Sequence, residues 1–495
     1  MPNEILLKGG RVLDPAQDID QTADVLISDN RIRAIGEALS VSPDANVLDV
    51  SGKVVCPGFI DVHVHAYGGI AFADPDSIGV NLGTTTMCDA GGAGAYSWDE
   101  FEALIVGQTR TDIYLWLLMG AAGIFGFQDA WKTVRSLIDV PINMLIDIVE
   151  ANRETIVGLK MAGFAALGLG PMKMAKGTAE VLDLPLYMHI GDIFETPDRT
   201  YTAQTLDLLT RGDYVTHCFT PTPGNLLGTD GKLLPAALRA RDRGVLFDVG
   251  FGSFNFGFDM AERVMAQGIV PSTISSDLQQ VNITGPTFSL THVMSAMMLL
   301  GMSFRDVIER VTINPARQLG LTHKMGSLAT GLPADVTVIE VLEGRFDFSD
   351  TAGLTRKGQH LIVPVWTIKG GEVIRPDREK AEQESNWSIE SSLAYDSTPP
   401  RADSLDHEQR LFLARIADGF RRLERWEGVD LHWCFHRVRN ETSISLREAA
   451  EAVLHSFMTS RFTPPVGFFL ATLERDFVLA RLDEVSTAKT ATVHN

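Results

Sequence analysis

Six side chains of types that bind divalent metals follow short apolar segments in this 495-residue sequence. The segments recur roughly every thirty residues, about the length of one strand and helix unit of an α/β barrel. The carboxyl ends of all strands in such a barrel meet at one rim, where the chemistry of the fold takes place. The pattern therefore predicts a binuclear metallohydrolase with the candidate ligands His63, His65, Lys160, His189, His217 and Asp277.

The first two candidates lie in the segment Gly58-Phe59-Ile60-Asp61-Val62-His63-Val64-His65. Residues i and i+2 of a strand point to the same side, so both imidazoles should face the barrel interior. Neutral imidazole is a common zinc ligand, and two of them on one strand can hold one ion. Taken alone, the pair is equally well explained by two polar histidines at the end of a strand.

Lys160 sharpens the interpretation, because a lysine within an apolar strand must reach water or find a partner. A neutral amine there can take up carbon dioxide to form a carbamate, an anion whose two oxygens can bridge two metals. The alternative is a lysine stem that merely packs on the barrel wall. Lys160, His189 and His217 follow one another at roughly one-unit spacing and Asp277 at two, which favours the metal site.

The chemistry of such a site is hydrolysis. Two metals can lower the pKa of a bridging water towards about 7 and so produce a hydroxide nucleophile at neutral pH. Asp277 would act as general base, accepting the proton of the water and passing it to the leaving group. One metal would polarise the substrate carbonyl. The predicted reaction is cleavage of an ester or amide, either open-chain or cyclic.

The elements that must position these residues fit a (β/α)8 TIM barrel over residues 58–320, close to the ~250 residues typical of that fold. Helical patterns fill most gaps between the predicted strands. These strands are 58–65, 84–90, 113–119, 156–161, 185–190, 214–219, 245–249 and 272–278.

Both flanks of the barrel have a different texture. Residues 1–57 and 321–380 alternate short β-prone stretches with Gly, Asp and Asn turns, which predicts one composite β-sandwich domain. Residues 381–404 are rich in Ser, Pro and Glu and are predicted to be a linker. Residues 405–495 are predicted to form a mainly helical α+β extension, in which 429–436 alternates like one strand and Ser445 with Glu448 forms a capping box.

Composition limits the possible partners. The formal net charge of -20 argues against nucleic acid or an anionic membrane surface, since both would repel the chain. No apolar segment approaches the ~20 residues of a membrane span, and the four cysteines show no CxxC pairing. We therefore expect a cytoplasmic protein that binds a small molecule. A homo-oligomer is a separate expectation.

Residues 4 to about 375 resemble the amidohydrolase superfamily, in its hydantoinase and dihydroorotase-like branch, and most closely the deacetylase-like metallohydrolases. The resemblance rests on motifs at most of the predicted strand ends. They are Pro57-Gly58-Phe59-Ile60-Asp61-Val62-His63-Val64-His65, Gly83-Thr84-Thr85-Thr86, Ile156-Val157-Gly158-Leu159-Lys160, His189-Ile190-Gly191, Val215-Thr216-His217-Cys218-Phe219, Asp248-Val249-Gly250, Ser275-Ser276-Asp277-Leu278 and Asn314-Pro315-Ala316.

This resemblance implies that His63, His65 and Asp277 hold one zinc ion. It implies that His189 and His217 hold the other, with carbon dioxide bound as a carbamate on Lys160 bridging the two. Family members include enzymes that remove acetyl groups from α-hydroxy acid esters, which implies esterase or deacetylase activity.

Two departures from the family pattern concern the substrate. Relatives usually carry Arg two residues after the bridging lysine, where this chain has Ala162, and His after Asp-x-Gly, where it has Phe251. Losing a cation and an imidazole removes partners for a substrate carboxylate, so a more hydrophobic or aromatic acyl substrate is predicted. Asp192, near His189, is a candidate substrate contact, because Lys160 argues against the deaminase role that an acid near this histidine has in relatives.

Three functions remain open from the sequence. The first is a binuclear zinc hydrolase of esters or open-chain amides. The second is a cyclic amidase that opens a hydantoin, dihydropyrimidine or lactam ring with the same ligands. The third is a non-catalytic scaffold of the same fold, against which the retention of all candidate ligands argues.

Overall fold

The computed structural model describes most of the chain between Glu4 and Thr487. The described residues are 4–66, 75–95, 98, 101–102, 105–120, 123, 142–165, 168–192, 199–279, 282–376, 398–426, 428–458, 466–471 and 473–487. Most of the predicted linker, residues 381–397, lies outside them.

The strands of the described residues belong to two sheets. They are β1 (Ile5–Asp14), β2 (Ile19–Ser28), β3 (Arg31–Gly36), β4 (Asn46–Asp49), β5 (Val54–Pro57), β6 (Phe59–Val64), β7 (Thr84–Asp89), β8 (Asp112–Leu118), β9 (Ile156–Ala162), β10 (Leu186–His189), β11 (Tyr214–Thr216), β12 (Leu246–Phe247), β13 (Val336–Ser349), β14 (Thr355–Lys369) and β15 (Glu372–Ile374).

One sheet is parallel throughout and has the order β12-β11-β10-β9-β8-β7-β6. Trp116 on β8 stacks on Tyr187 on β10, with ring centroids 4.6 Å apart, although β9 lies between these two strands. Gly158 on β9 leaves room for this contact, since a Cβ there would overlap the Trp116 ring. The all-parallel strand order, together with the bridges that close it, gives the chain the predicted α/β fold of TIM-barrel type.

The eighth predicted strand, 272–278, is not a regular strand, but it closes the ring. Thr273 forms a parallel bridge with Asp248 after β12, and Leu278 forms one with Val64 on β6. Two features explain the irregularity. Hydroxyls of this segment bond to buried carboxylates, and Asp277 has φ 50°, which ends any extended run.

Helices pack around the parallel sheet. Helix Leu169–Leu182 buries Met172, Ala175, Ala179 and Leu182, whose spacing of three and four residues places them on one face. The other helices of the described residues before position 320 are Pro75–Ile78, Ile142–Ala151, Arg199–Leu208, Pro235–Arg243, Phe258–Ala266, Leu290–Leu299, Phe304–Glu309 and Ile313–Gln318. No helix in the described ranges is long and apolar enough to cross a membrane.

The other sheet combines strands from both flanks of the barrel, in the order β15-β14-β13-β5-β1-β2-β3, with β4 paired to β1. Its longest hairpin, β13–β14, reaches the barrel loop that follows β12. At the hairpin tip, Asp350 Oδ2 accepts the backbone N–H of Phe258 at 2.9 Å, and Thr351 Oγ1 accepts that of Phe256 at 3.0 Å. The flanking sheet thus supports a loop of the barrel.

After residue 398 the regular elements of the described chain are helices, which corrects the predicted α+β character. The segment predicted as a strand lies in helix Gly428–Asn440, whose buried residues Leu431, Cys434, Phe435 and Val438 have helical spacing. The capping box of Ser445 and Glu448 is confirmed. The helices are His407–Arg421, Gly428–Asn440, Leu446–His455, Val466–Leu470 and Arg475–Thr487, and they share a hydrophobic core of their own.

A histidine in helix Leu290–Leu299 makes stability depend on pH. His292 is buried between the rings of Phe288 and Phe348, and this burial lowers its pKa to about 3. Below the usual value of 6.5, the unfolded chain binds a proton that the folded chain does not, so stability falls as the pH is lowered. The loss is about 1.4 kcal/mol per pH unit within this window.

His292→Leu should remove that contribution. Between about pH 7 and about pH 4.5, we expect the free energy of unfolding of the variant to fall by about 2 to 3 kcal/mol less than that of the parent. Chemical denaturation of both metal-free proteins at a series of pH values measures the difference. Parallel curves for the two proteins would contradict the prediction.

Candidate metal centre

The six candidate ligands occupy the carboxyl ends of the barrel strands or the residues just after them. His63 is on β6 and His65 follows it, Lys160 is near the end of β9, and His189 ends β10. His217 follows β11, and Asp277 lies in the closing segment. His217 and Asp277 both have positive φ, 65° and 50°, so the chain turns at these residues as it leaves the sheet.

The structure brings these side chains together. Ligand atoms of His63, His217 and Asp277 lie within 4.8 Å of one another. His65 Nε2 is 3.1 Å from Asp277 Oδ1, and Lys160 Nζ is 3.4 Å from His63 Nε2. The ring of His189 lies 4.3 Å from that of His217, centroid to centroid. The candidate ligands therefore converge on one small region at the rim.

Backbone carbonyls determine which nitrogen of two histidines is available to a metal. His217 Nδ1 is 2.7 Å from the carbonyl oxygen of Gly250, and His189 Nε2 is 3.1 Å from that of Gly191. A carbonyl only accepts, so each of these nitrogens carries the proton and donates. The lone pairs are left on His217 Nε2 and His189 Nδ1, an arrangement that suits a metal ligand whose other nitrogen is fixed by a hydrogen bond.

Burial keeps three of the histidines uncharged. It lowers the pKa of His63 and His217 well below the usual value and that of His189 to about 3, and the nearby Lys160 lowers all three further. Burial also lowers the pKa of Lys160 to about 7, against the attraction of Asp277. Neutral imidazoles, a partly uncharged amine and a carboxylate together form a donor set that fits divalent cations such as Zn²⁺.

One ring nitrogen gives a further reason to expect a bound group here. His65 Nδ1 is buried and makes no hydrogen bond with any described residue, while the Nε2 of the same ring faces Asp277. An unpaired buried polar atom is unusual, and Nδ1 needs a partner of its own. The donor set, in which His65 Nε2 is the ring nitrogen that faces Asp277, fits a cation bound among these residues.

Residues that the sequence did not single out hold Asp277 in place. Gln279 Nε2 donates to Asp277 Oδ1 at 3.0 Å, and Asn255 Nδ2 donates to Oδ2 at 3.5 Å. Asn282 Nδ2 donates to the backbone oxygen of Asp277 at 2.9 Å. The sequence offers a signal for Gln279 and Asn282, which lie a few residues after Asp277, whereas Asn255 comes from a different loop.

Two further buried acids form hydrogen bonds with chain neighbours of the candidate ligands, Asp61 with Ser276 and Asp248 with Thr216. Asp61 accepts hydrogen bonds from the hydroxyl and backbone N–H of Ser276, and burial raises its pKa to about 7. Burial also raises the pKa of Asp248, while the four hydroxyls that donate to it oppose this shift. The sequence placed Asp248 in a family motif without giving it a role.

The three candidate substrate contacts have different surroundings. Asp192 is buried, and its Oδ2 accepts the backbone N–H of Ala165 at 2.9 Å. Ala162 ends β9 and is partly exposed. Phe251 is fully buried and stacks on Phe256 at 4.3 Å. Contact of these residues with a substrate stays a prediction.

A glycine beside Asp277 makes the position of the carboxylate testable. Gly252 has φ 65°, and a Cβ there would overlap Asp277 Oδ2 and approach Asn255 Nδ2. Gly252→Ala should therefore displace the carboxylate and lower kcat about 10²-fold, the order of effect of a displacement of ~1 Å in an active site. Steady-state kinetics on metal-loaded protein measures the loss.

Gly212→Ala is the matched control for that variant. Gly212 has φ 89°, but a Cβ there meets no described atom within 4 Å. It carries a similar backbone strain without touching the centre, so kcat should be unchanged. Equal losses of activity in the two variants would show that strain alone, rather than the Asp277 contact, explains the result.

The fold and the centre together define the class to which the chain belongs. Residues 244–371 match the Amidohydrolase family. The chain is 31% identical over 364 residues to a deacetylase of Agrobacterium fabrum, an alignment that covers 72% of this chain and 88% of that protein. The chain therefore belongs to the amidohydrolase family and is a hydrolase acting on amide or ester bonds, as the sequence predicted.

Solved structures agree with this assignment. A crystal structure of a dihydroorotase has a TM-score of 0.69 and 30% identity, covering 76% of this chain and 98% of that one. A crystal structure of an adenine deaminase also has a TM-score of 0.69, with 29% identity and coverage of 75% and 100%. Roughly a quarter of this chain lies outside these alignments.

Proposed function

We propose that the protein is a binuclear metal-dependent hydrolase that cleaves an ester or open-chain amide, in the manner of an esterase or deacetylase. The observation that carries the proposal is the convergence of four buried or part-buried histidines with Lys160 and Asp277 at the carboxyl end of the barrel. The similarity to a deacetylase over most of that protein supports the reaction class.

In this proposal the ligands divide between two ions. His63, His65 and Asp277 would hold one, and His189 and His217 would hold the other. Lys160 would bridge them as a carbamate, which forms when the uncharged amine bonds to the carbon of carbon dioxide and releases a proton. The 3.4 Å approach of Lys160 Nζ to His63 Nε2 supports its place among the ligands.

Bound divalent ions, which we take to be Zn²⁺, would supply the Lewis acidity that lowers the pKa of water and polarises a substrate carbonyl. Asp277 is the general base of this proposal. It accepts the proton of the attacking water and returns it to the leaving oxygen or nitrogen. Gln279 and Asn255 keep both carboxylate oxygens in place while the proton moves.

The proposed substrate class rests on two departures from the family pattern. Ala162 offers no charge to a substrate carboxylate, and Phe251 replaces the imidazole that is usual after Asp-x-Gly in relatives. We therefore expect a hydrophobic or aromatic acyl group rather than a small anionic one. Asp192 would approach the substrate from the loop after β10.

A hydrolysis panel tests both reaction and substrate. We expect protein with close to two zinc ions per chain to have its highest kcat/KM on an apolar acyl ester or N-acyl amide. The panel includes esters of small α-hydroxy carboxylates, N-acyl amides and cyclic amides, each with metal-stripped protein as the control. Native protein that binds no metal would overturn the proposal, and turnover confined to α-hydroxy carboxylate esters would overturn the apolar substrate class.

A cyclic amidase is the second candidate, because a dihydroorotase structure covers most of the chain at 30% identity. Opening a ring amide would use the same ligands and the same base. In the panel this function is recognised by a kcat/KM on hydantoin, dihydropyrimidine or lactam rings that exceeds the value on every open-chain compound.

For the helices after residue 398 we propose a subunit interface or a cover over the rim, in a homo-oligomer. Light scattering and kinetics of the full chain and of a chain lacking residues 385–495 test this. A smaller assembly or altered KM supports the proposal. Unchanged size and unchanged kinetics would leave an independent appended unit instead.

A further inference from the structure

Asp248, in the chain just after β12, is the acceptor of an unusual set of hydrogen bonds. The residue is fully buried, and four hydroxyls surround its carboxylate. Oδ2 accepts from Tyr187 at 2.6 Å, Ser275 at 2.6 Å and Thr216 at 2.9 Å, and Oδ1 accepts from Thr273 at 2.6 Å. The path of the backbone does not by itself explain why four hydroxyl side chains surround one acid.

Two of these hydroxyls also reach a candidate metal ligand. Tyr187 Oη is 3.1 Å from His63 Nδ1, and Thr216 Oγ1 is 3.0 Å from the same nitrogen. A hydroxyl has one proton, and here that proton is given to the carboxylate. Each oxygen therefore turns a lone pair towards His63 and can only accept from it.

The direction of these bonds fixes the histidine. With two acceptors at Nδ1, the ring carries its proton on Nδ1, and the lone pair is left on Nε2. Nε2 is the atom that faces Lys160 Nζ at 3.4 Å and Asp277 Oδ1 at 3.5 Å. The lone pair thus points to the region where the other candidate ligands converge.

We propose that Asp248 is a positioning residue that sets the tautomer and orientation of His63 through the hydroxyls of Tyr187 and Thr216, so that Nε2 is ready to bind a metal ion. The inference rests on the proposed function, which makes His63 a ligand. For His217 and His189, a backbone carbonyl fixes the protonated nitrogen directly. For His63, the Asp248 carboxylate does so indirectly, through two hydroxyls.

The neighbouring packing supports this role. The Tyr187 ring is held by stacking on Trp116 at 4.6 Å, and Trp116 Nε1 donates to the backbone oxygen of Val62, next to His63, at 2.9 Å. The phenol oxygen is therefore fixed relative to the strand that carries His63. Outer partners of metal-binding histidines typically change metal affinity about 10- to 100-fold when removed.

The test removes both intermediaries while keeping the shape of the core. In the double variant Tyr187→Phe with Thr216→Val, His63 Nδ1 loses both acceptors. We expect the affinity for Zn²⁺, measured by competition with a chelator, to fall about 10- to 100-fold at the site that contains His63. Each single variant keeps one acceptor of His63 and should lose less Zn²⁺ affinity. Thr216→Ser keeps the hydroxyl and should have the parental affinity.

Thr273→Val is the matched control. It removes a buried hydroxyl from the other oxygen of Asp248, at the same 2.6 Å distance as the Tyr187 bond, without removing an acceptor of His63. We expect it to lower the unfolding temperature like the double variant but to leave Zn²⁺ affinity unchanged. Nitrogen-15 shifts of His63 in the metal-free proteins give a second reading, with Nδ1 protonated in the parent and in Thr273→Val.

The outcomes separate this inference from the proposed function. If the parent binds no Zn²⁺, the proposed function fails and the inference with it. If the parent binds two ions and the double variant binds them as tightly, only the inference fails. An equal loss of affinity in Thr273→Val and the double variant would also overturn it, since both would then act through general destabilisation.

Discussion

Lys160→Met is expected to lower kcat/KM by about 10³ to 10⁴-fold and to reduce the zinc content below two ions per chain, because in the proposed mechanism several kcal/mol of transition-state stabilisation depends on both metals. Methionine keeps the length and burial of the side chain but cannot form a carbamate. Metal analysis and steady-state kinetics on the same preparation measure both effects.

Lys176→Met is the matched control for a buried lysine of the barrel. Lys176 forms an ion pair with Asp213 at 2.6 Å, at the opposite end of the strands, and its loss leaves Asp213 buried without its cation. We expect this variant to be less stable by about 3 kcal/mol or more. Its zinc content should be unchanged, and equal metal loss in both variants would contradict a ligand role for Lys160.

Asp277→Asn is expected to lower kcat about 10² to 10⁴-fold, the range over which a positioned acid or base contributes. The amide is nearly the same size and can still ligate through its oxygen, but it cannot accept the proton of the attacking water. Kinetics compared at equal zinc occupancy isolate the loss of the base from the loss of a ligand.

Thermal unfolding of Asp277→Asn provides the check on folding, since Gln279 and Asn255 must now face an amide. A folded, zinc-loaded variant with parental kcat would exclude Asp277 as the base. Reduced kcat together with reduced zinc would instead indicate that its main role is that of a ligand.

The sequence was most informative where chemistry and repetition coincide. His189 and His217 could be assigned to adjacent strand ends because a βα unit has nearly constant length, and the carboxyl ends of parallel strands share one rim. The barrel type and the hydrolase class are confirmed, and the metal roles stay predictions. The prediction of a regular strand for the closing segment was wrong, because the hydrogen bonds of its hydroxyls and the turn at Asp277 override the local sequence pattern.

Other features depend on contacts between residues far apart in the sequence, which no periodic sequence pattern reveals. Tyr187 lies on β10 and Asp248 just after β12, so their link to His63 exists only once the barrel closes. The helix at Gly428–Asn440 was misread because Leu431 and Phe435 fit both a period of two and a helical spacing. The buried Cys434 and Val438 select the helix, and their burial is a tertiary property.

The hairpin tip at Asp350 and Thr351 forms hydrogen bonds with the loop that carries Gly252, Asn255 and Phe256. The rim that carries the candidate ligands is therefore supported by a different sheet, built from strands on both flanks of the barrel. A barrel without that sheet would keep the histidines but lose the hairpin contacts that support the loop of Asn255. Substitutions in this hairpin should therefore shift the loop, and with it Asn255, without changing any candidate metal ligand.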